Sequence, residues 1–306
     1  MVIKPRFEPV ELKILRCLNT RMDLSVKEKQ YYINLEKGYE GERIFDDLLK
    51  NLSNEWIILN DLLFESNHTI FQIDSLLISP KTIYLFEVKN YEGDFYINAE
   101  KWYTLSGNEI KNPLLQLTRS ESLLRQLLQD LGLNFSIEAY IIFINPEFTL
   151  FQAPLNLPII FPSQLNRFMK KLNMSSSKLN GKHAKLAEQL VSAHLDESPY
   201  SRLPAYDYDQ LQKGMTCRLC NSFMTREKKL VCKECGCKEN IESAVMRSVE
   251  QYKLLFPVRK ITTNAIHEWC GVIESKLTIR KILTKNYNLL GHGKFSYYVH
   301  SQENHL

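Results

Sequence analysis

The chain has 306 residues, 44% of them hydrophobic and 24% charged, with a formal net charge of +4. This composition suits a soluble globular protein with room for two or three cores, and no apolar run approaches the roughly 18 residues a membrane-spanning helix needs. The charge is uneven: residues 210–306 hold 16 Lys and Arg against 8 Asp and Glu, while residues 1–209 hold 23 against 27. A basic C-terminal third on a mildly acidic body points to a polyanion-binding module joined to something else. The opening "MVIKPRFEPVELKILRC" carries acids and lacks an unbroken apolar core. It does not read as a signal peptide, so the expected location is the cytoplasm, with cysteines reduced.

Residues 1–25 show no clear period and are read as an irregular lead-in. From Ser25 through Leu52, apolar residues recur at Tyr32, Leu35, Tyr39, Ile44, Phe45, Leu48 and Leu49, a helical spacing with Gly38 and Gly41 as the interruption. Three strand-like runs follow at 56–63, 71–79 and 82–90, then a short strand or turn near "DFYINAEKWYTL". Asn112-Pro113 opens an amphipathic helix, and "AYIIFINP" (139–146) reads as a strand buried on both faces. After "LPIIF", two helical stretches end near His194. Helix, three-strand meander, helix, strand is an α/β layout. The expected division is a lead-in at 1–25, an α/β domain at 26–196, a linker at 197–212, a cysteine-rich segment at 213–238 and a helical domain at 239–306. No internal repeat or low-complexity tract is evident.

The stretch "YLFEVKNYEG" (84–93) begins as a buried strand and then carries Glu87 and Lys89 on the same face as Ile83 and Leu85. On the preceding run Asp74 shares a face with Leu76 and Ile78. If Pro80-Lys81 is a two-residue turn, facing residues have numbers summing to 161, and Asp74 lies opposite Glu87. Like charges so placed are destabilising. Two carboxylates converging there suit a divalent cation with oxygen ligands, Mg²⁺ or Mn²⁺. Lys89 would orient or activate its bound water, or stabilise charge on a phosphate. His68 sits in a polar loop and is read as solvent-exposed.

The order of "GYEGE" on a helix, "QID" on a strand, "FEVKN" followed by Gly93, and "NPLLQ" on a helix resembles the nuclease-related domain, NERD, of the PD-(D/E)XK nuclease superfamily. The resemblance covers about residues 30–150. It implies a restriction-endonuclease-like core with a mixed sheet, and it implies metal-dependent hydrolysis of phosphodiester bonds. Asp74 and Glu87 would be metal ligands, with the Val88 carbonyl a third, and Lys89 the catalytic lysine. Glu42 would be an accessory carboxylate on the helix, and Gln116 a polar group from the later helix. Ile73 stands where the superfamily name has proline.

Five of the seven cysteines lie in "CRLCNSFMTREKKLVCKECGC" (217–237). Cys217-x2-Cys220 and Cys232-x2-Cys235-Gly236 form two knuckles whose four thiolates suit tetrahedral structural Zn²⁺, with a small hairpin between them. Cys237 is an alternative to Cys235, which the C-x2-C-G knuckle favours; Cys17 and Cys270 read as ordinary thiols.

Three helix-like segments and a hairpin-like tail around Gly291-His292-Gly293 complete the chain. That order resembles a winged helix-turn-helix, whose third helix enters the major groove. In the third segment Leu277, Ile279, Ile282 and Leu283 are expected to face inward. Lys276, Arg280, Lys281 and Lys285 there, with Lys294 in the tail, are the candidate nucleic-acid contacts, and Arg280 the candidate base reader. The leading expectation is a metal-dependent nuclease targeted to nucleic acid, DNA before RNA, with no membrane and no small-molecule cofactor. The alternatives are a non-catalytic nucleic-acid-binding regulator that uses the nuclease fold as a scaffold, and a protein-interaction adaptor.

Overall fold

Apolar strands paired edge to edge, with amphipathic helices covering them, organise the part of the chain that holds the candidate carboxylates. The structure is a computed structural model that describes residues 1–53, 55–174, 178–196, 202–227 and 229–299. In chain order it begins with β1 (Val2–Lys4), α1 (Val10–Arg21), α2 (Val26–Lys50), β2 (Ile57–Ser66), β3 (Thr69–Ile78) and β4 (Thr82–Lys89). Then come β5 (Gly93–Asn98), β6 (Lys101–Thr104), β7 (Glu109–Ile110), α3 (Pro113–Asp130), β8 (Ser136–Phe143), β9 (Phe148–Phe151), β10 (Ile159–Ile160), α4 (Leu165–Met174) and α5 (Gly181–Ala193). The rest comprises β11 (Met224–Arg226), β12 (Leu230–Cys232), β13 (Lys238–Glu239), α6 (Ile241–Leu255), α7 (Thr263–Cys270), α8 (Lys276–Asn286), β14 (Asn288–Leu290) and β15 (Tyr297–Val299). Among the described residues no helix is long and apolar enough to cross a membrane.

The chain forms two compact units, Met1–Glu8 with Ile33–Ser201, and Pro9–Tyr32 with Arg202–Leu306. The first is built on a six-stranded mixed sheet of order β1-β2-β3-β4-β8-β10. Pairs β2–β3 and β3–β4 are antiparallel, while β1–β2, β4–β8 and β8–β10 are parallel. Strand alternation sends Ile83 and Leu85 of β4 to one face, where they join Leu117 and Leu124 of α3 and Leu186 and Leu190 of α5. Phe86 and Val88 go to the other face, against Phe45 and Leu49 of α2 and Phe168 of α4. The result is helices on both faces of a mixed sheet. A smaller four-stranded sheet, order β7-β6-β5-β9, extends the first layer through Phe95, Trp102 and Phe148.

Two local features place the end of β4. The turn after β3 has only Pro80 and Lys81 at its tip: Ser79 N–H and Oγ both donate to the Thr82 carbonyl (2.9 and 2.7 Å). Pairs Ser75↔Phe86, Leu76↔Leu85, Leu77↔Tyr84 and Ile78↔Ile83 follow, the register expected from a two-residue turn. On α2, a Cβ built at Gly41 would lie 2.6 Å from Asn90 Cβ and 3.1 Å from Ile144 Cγ2. Glycine is therefore what lets α2 approach the end of β4, and Asn90 Nδ2 ties the two together by donating to the Lys37 carbonyl (2.8 Å). Gly38, one turn earlier, meets nothing within 4 Å. The glycines interrupt the apolar spacing but not the helix, which runs unbroken from Val26 to Lys50.

The second unit departs from the expected division. The lead-in is not irregular: it supplies β1 to the large sheet and α1 to the second unit, where Ile14 and Leu18 enter the core. Residues 197–201 lie outside the described residues. Residues 202–212, expected as linker, carry Tyr208 and Leu211 into the core, with Tyr208 stacked near Trp269 at 5.9 Å. The cysteine-rich strands do not stand apart either, since Met215, Met224 and Leu230 share that core with Val245, Ile266 and Ile279. Near its centre Arg21, only 2% exposed, donates to the carbonyls of Gln212 (2.8 Å) and Gly214 (2.9 Å) and to Gln251 Oε1 (3.1 Å). Its guanidinium lies 4.0 Å from the Trp269 ring centroid. In α8, Ile279, Ile282 and Leu283 are buried as expected; Leu277 is 58% exposed and faces outward.

Gly38→Ala should stabilise the protein by up to about 1 kcal/mol, the helix-propensity difference. Gly41→Ala should destabilise it by about 1–3 kcal/mol through overpacking against Asn90. Thermal or denaturant unfolding of both variants checks this, and a stabilised Gly41→Ala protein would refute the close-approach account.

Candidate active site and metal centre

The last residues of β4 leave the apolar layer and present Glu87 and Lys89 toward the start of α3. Asp74 occupies the next position on β3 after the Ser75↔Phe86 pair, so the register carries it alongside Glu87. The ladder ends there because a side chain takes over the pairing: Val88 N–H donates to Asp74 Oδ2 (2.7 Å). A strand residue's N–H and C=O point to the same edge, so the Val88 carbonyl also lies on the Asp74 side. Lys89 Nζ donates to Glu87 Oε1 (2.7 Å) and to Gln116 Oε1 (3.1 Å), and Gln116 Nε2 donates to Glu87 Oε1. Gln116 reaches this point because Asn112 caps α3, accepting from Leu114 N–H (2.9 Å), with Pro113 opening the first turn. Asp74, Glu87, Val88, Lys89 and Gln116 are thus brought together.

Glu42 joins the cluster from α2 through a residue that the sequence reading passed over. Arg6 donates Nη1 to Glu42 Oε2 (2.5 Å), Nε to Asp46 Oδ2 (3.0 Å), and Nη2 to Asp46 Oδ1 (3.3 Å) and the Asp74 carbonyl (2.6 Å). Asp46, also unforeseen, accepts from Ser75 Oγ (3.4 Å). His68 is fully exposed in the turn between β2 and β3, where Asn67 and His68 both have positive φ.

Burial controls the titration of these groups. Desolvation, reinforced by the charge of Asp74, pushes the Glu42 carboxyl up to about 8 and that of Glu87 up to about 7. Desolvation likewise raises Asp74, against the pull of Lys89 and the Val88 N–H. For Lys89, burial opposes the ammonium, but Glu87 and Asp74 outweigh it and hold the group above its ordinary value. The arrangement suits a divalent cation in its donor chemistry. It offers hard oxygen ligands, and the bonds above engage one oxygen of each carboxylate, Oδ2 of Asp74 and Oε1 of Glu87.

The second centre lies in the other unit. Cys217, Cys220, Cys232 and Cys235 bring their sulfurs within 4.8 Å of one another, and among the described residues this is the only such group of three or more His, Cys, Asp or Glu. The closest pairs are 3.4–3.5 Å apart, too long for a disulfide and near the edge of an S₄ tetrahedron with metal–sulfur bonds of about 2.3 Å. The two knuckles have matching backbones. Asn221 N–H donates to the Cys217 carbonyl and Gly236 N–H to the Cys232 carbonyl (both 3.0 Å), and Asn221 and Gly236 both have positive φ. Cys237 falls outside the quartet. The cluster suits a closed, structural metal.

In the same unit a groove of about 650 Å³ runs between the N-terminal ends of α7 and α8 and the β14–β15 hairpin. Lys276 and Arg280 line it beside Thr263, His292 and the exposed Leu277 and Leu289. Lys281 is exposed too. Lys285 differs, since it pairs with Glu242 at 2.7 Å. The side chain of Lys294 lies outside the described residues.

The pH response follows from the two raised carboxyls. Unfolded, Glu42 and Glu87 titrate near the ordinary value of 4.5; folded, near 8 and 7. The folded state therefore binds more protons between these values, and stability should fall as pH rises from about 5 to 8. Without added Mg²⁺ or Mn²⁺, the melting temperature should drop by at least about 3 °C across that range, the scale of about 1 kcal/mol. Glu87→Gln should flatten the slope; an unchanged slope in that variant would refute this assignment. For the cysteine centre, zinc content measured by elemental analysis should fall in Cys235→Ser and persist in Cys237→Ser. The reverse would reassign the fourth ligand.

Comparison with curated proteins and with solved structures finds no match. A family model does match: residues 37–144 fit the nuclease-related domain, a span that includes Glu42, Asp46, Asp74, Glu87, Lys89 and Gln116. The chain therefore carries a nuclease-related domain, NERD, and the buried acidic cluster at the end of β4 lies within it.

Proposed function

We propose that the protein is a divalent-metal-dependent phosphodiesterase acting on DNA, with the cysteine centre and basic helices of the second unit holding the nucleic acid. The observation that carries the reading is the buried set Asp74, Glu87 and Lys89, drawn together by the β3–β4 register and completed by Gln116. A purely structural strand end has no use for two desolvated carboxylates side by side, which raises the free energy of the fold. Asp74 and Glu87, with the Val88 carbonyl, would hold Mg²⁺ or Mn²⁺. That ion supplies Lewis acidity at the phosphate and lowers the pKa of a bound water.

The protein's own groups take separate parts. Lys89, held above its ordinary pKa by its carboxylate neighbours, stays protonated at neutral pH. It serves as a positive charge for the pentacovalent phosphorus and not as a general base. Gln116 contacts both Lys89 and Glu87 and fixes the angle at which the ammonium faces substrate. In the second unit, zinc on the four cysteines would stabilise the β11–β13 strands, whose apolar residues already enter the core. Lys276, Arg280 and Lys281 on α8, with Lys294 in the tail, would contact phosphates, and Arg280 a base edge. Lys285 pairs with Glu242 at the surface, where such a pair is weak, and would contact phosphate as well.

The exposed Leu277, Leu289 and Phe295 around α8 and the hairpin favour one competing reading, a protein-docking face on a scaffold that no longer cleaves. Incubation of single- and double-stranded DNA and RNA with the protein and Mn²⁺ or Mg²⁺ decides between them. Cleavage should be lost by at least about 10²-fold in Glu87→Ala and in Lys89→Ala. Cleavage that survives both substitutions removes this site from the chemistry, and DNA binding without cleavage under any condition promotes the scaffold.

A further inference from the structure

Arg6 puts a permanent cation inside the acidic cluster, and it comes from outside the stretch that matches the nuclease-related domain. Its side chain is 3% exposed, and its planar fork is used on three sides: Glu42, both oxygens of Asp46, and the Asp74 carbonyl. A guanidinium keeps its proton throughout the working pH range and matches carboxylate geometry, so this contact is fixed in a way a lysine would not be. Within the cluster four carboxylates, Glu42, Asp46, Asp74 and Glu87, face two fixed cations, Arg6 and Lys89. With all four ionised, as cation binding requires, two negative charges would remain, which is the charge of one divalent ion. Nearby Asp61 acts on Glu42 and Asp74 as a further negative charge, and Lys4, whose Nζ lies at the Asn60 (2.9 Å) and Asp61 carbonyls, stands beside it as a positive one.

We propose that Arg6 is a built-in counter-ion occupying the place of a second divalent cation, so that the site binds one ion at Asp74 and Glu87 while Glu42 serves Arg6. The inference rests on the reading of Asp74 and Glu87 as cation ligands. A second ion shared by Glu42 and Asp74 would draw on the Glu42 carboxylate and the Asp74 carbonyl, and both already accept from the guanidinium. An ion entering there would displace those bonds and stand against a positive charge in a buried setting, where Coulomb repulsion is weakly screened. Arg6 is accordingly a positioning residue: its donors are spent on Glu42, Asp46 and the Asp74 carbonyl.

Calorimetric titration of Mn²⁺ into the full chain, with the cysteine centre first saturated with Zn²⁺, counts the ions directly. Wild type should bind one Mn²⁺ and Arg6→Met two. Glu42→Gln should still bind one, with affinity lowered by no more than about 100-fold, the scale of a residue that acts through another. Glu87→Gln should abolish binding. Two ions in wild type, one ion in folded Arg6→Met, or loss of the ion in Glu42→Gln would each overturn the proposal. The Glu42→Gln result decides the matter even if Arg6→Met fails to fold, which a thermal melt reveals. Absence of Mn²⁺ binding in wild type, or binding indifferent to Glu87→Gln, would instead sink the assignment of Asp74 and Glu87, and the role of Arg6 with it.

Discussion

The turn from Ser79 to Thr82 fixes how β3 meets β4, and the geometry of the acidic cluster depends on it. Ser79 closes the turn with both its backbone N–H and its hydroxyl, leaving Pro80 and Lys81 alone at the tip. Proline limits the backbone entropy of so short a loop, and the hydroxyl supplies a bond that a longer loop would not need. With one more turn residue, Glu87 would face Ser75 and Asp74 would face Val88. The two carboxylates would then sit on opposite faces of the sheet. As it is, the paired strands run out at Ser75↔Phe86, and Asp74 spends its freedom on the Val88 N–H.

Holding those carboxylates under cover opposes folding, and the structure shows how that opposition is contained. The apolar part of β4 packs on both faces before the charges begin, so the desolvated groups are confined to the strand's last residues. Lys89 and Arg6 each offset part of the negative charge, yet burial, with the charge of Asp74 behind it, still holds the Glu42 and Glu87 carboxyls above their ordinary value. A fold that leaves negative charge uncompensated is less stable than it need be, which is a common feature of sites that bind cations or develop charge during a reaction. Gly41 belongs to the same economy of space: only without a Cβ can α2 come close enough for Glu42 and Asp46 to reach the cluster.

How much of this was legible depended on how far each partner lay along the chain. The hairpin register could be read because the turn is local and strand alternation is strict. The cysteine quartet could be read because metal-ligand spacing is itself a local pattern, and the matching left-handed residues at Asn221 and Gly236 are the backbone counterpart of that spacing. Arg6 was invisible for the opposite reason. It sits between two prolines with no periodic neighbours, and its partners are 36, 40 and 68 positions away. Asp46 was hidden among Phe45, Leu49 and other core positions of α2, where an acid breaks no pattern strongly enough to notice. The helix α1 did carry a signal, with Leu12, Leu15 and Leu18 at spacing three, but its short length and flanking proline obscured it. Tyr208 and Leu211 were misread because an aperiodic, proline-bearing stretch looks like a linker whether or not its aromatic residues are buried.

The two units face unlike electrostatic problems, and on the proposed reading this separates holding nucleic acid from cutting it. In the first unit the carboxylates outnumber the fixed cations, so a phosphodiester meets net repulsion until a divalent ion offsets it. In the second, Lys276, Arg280, Lys281 and Lys285 are exposed on one helix, the last in a surface pair with Glu242. Attraction from such exposed charges weakens steeply with salt. The buried cluster, screened far less, would respond instead to cation identity and to pH. Affinity and chemistry would then draw on different charges, and a single acidic substitution at Glu87 could silence one while leaving the other intact.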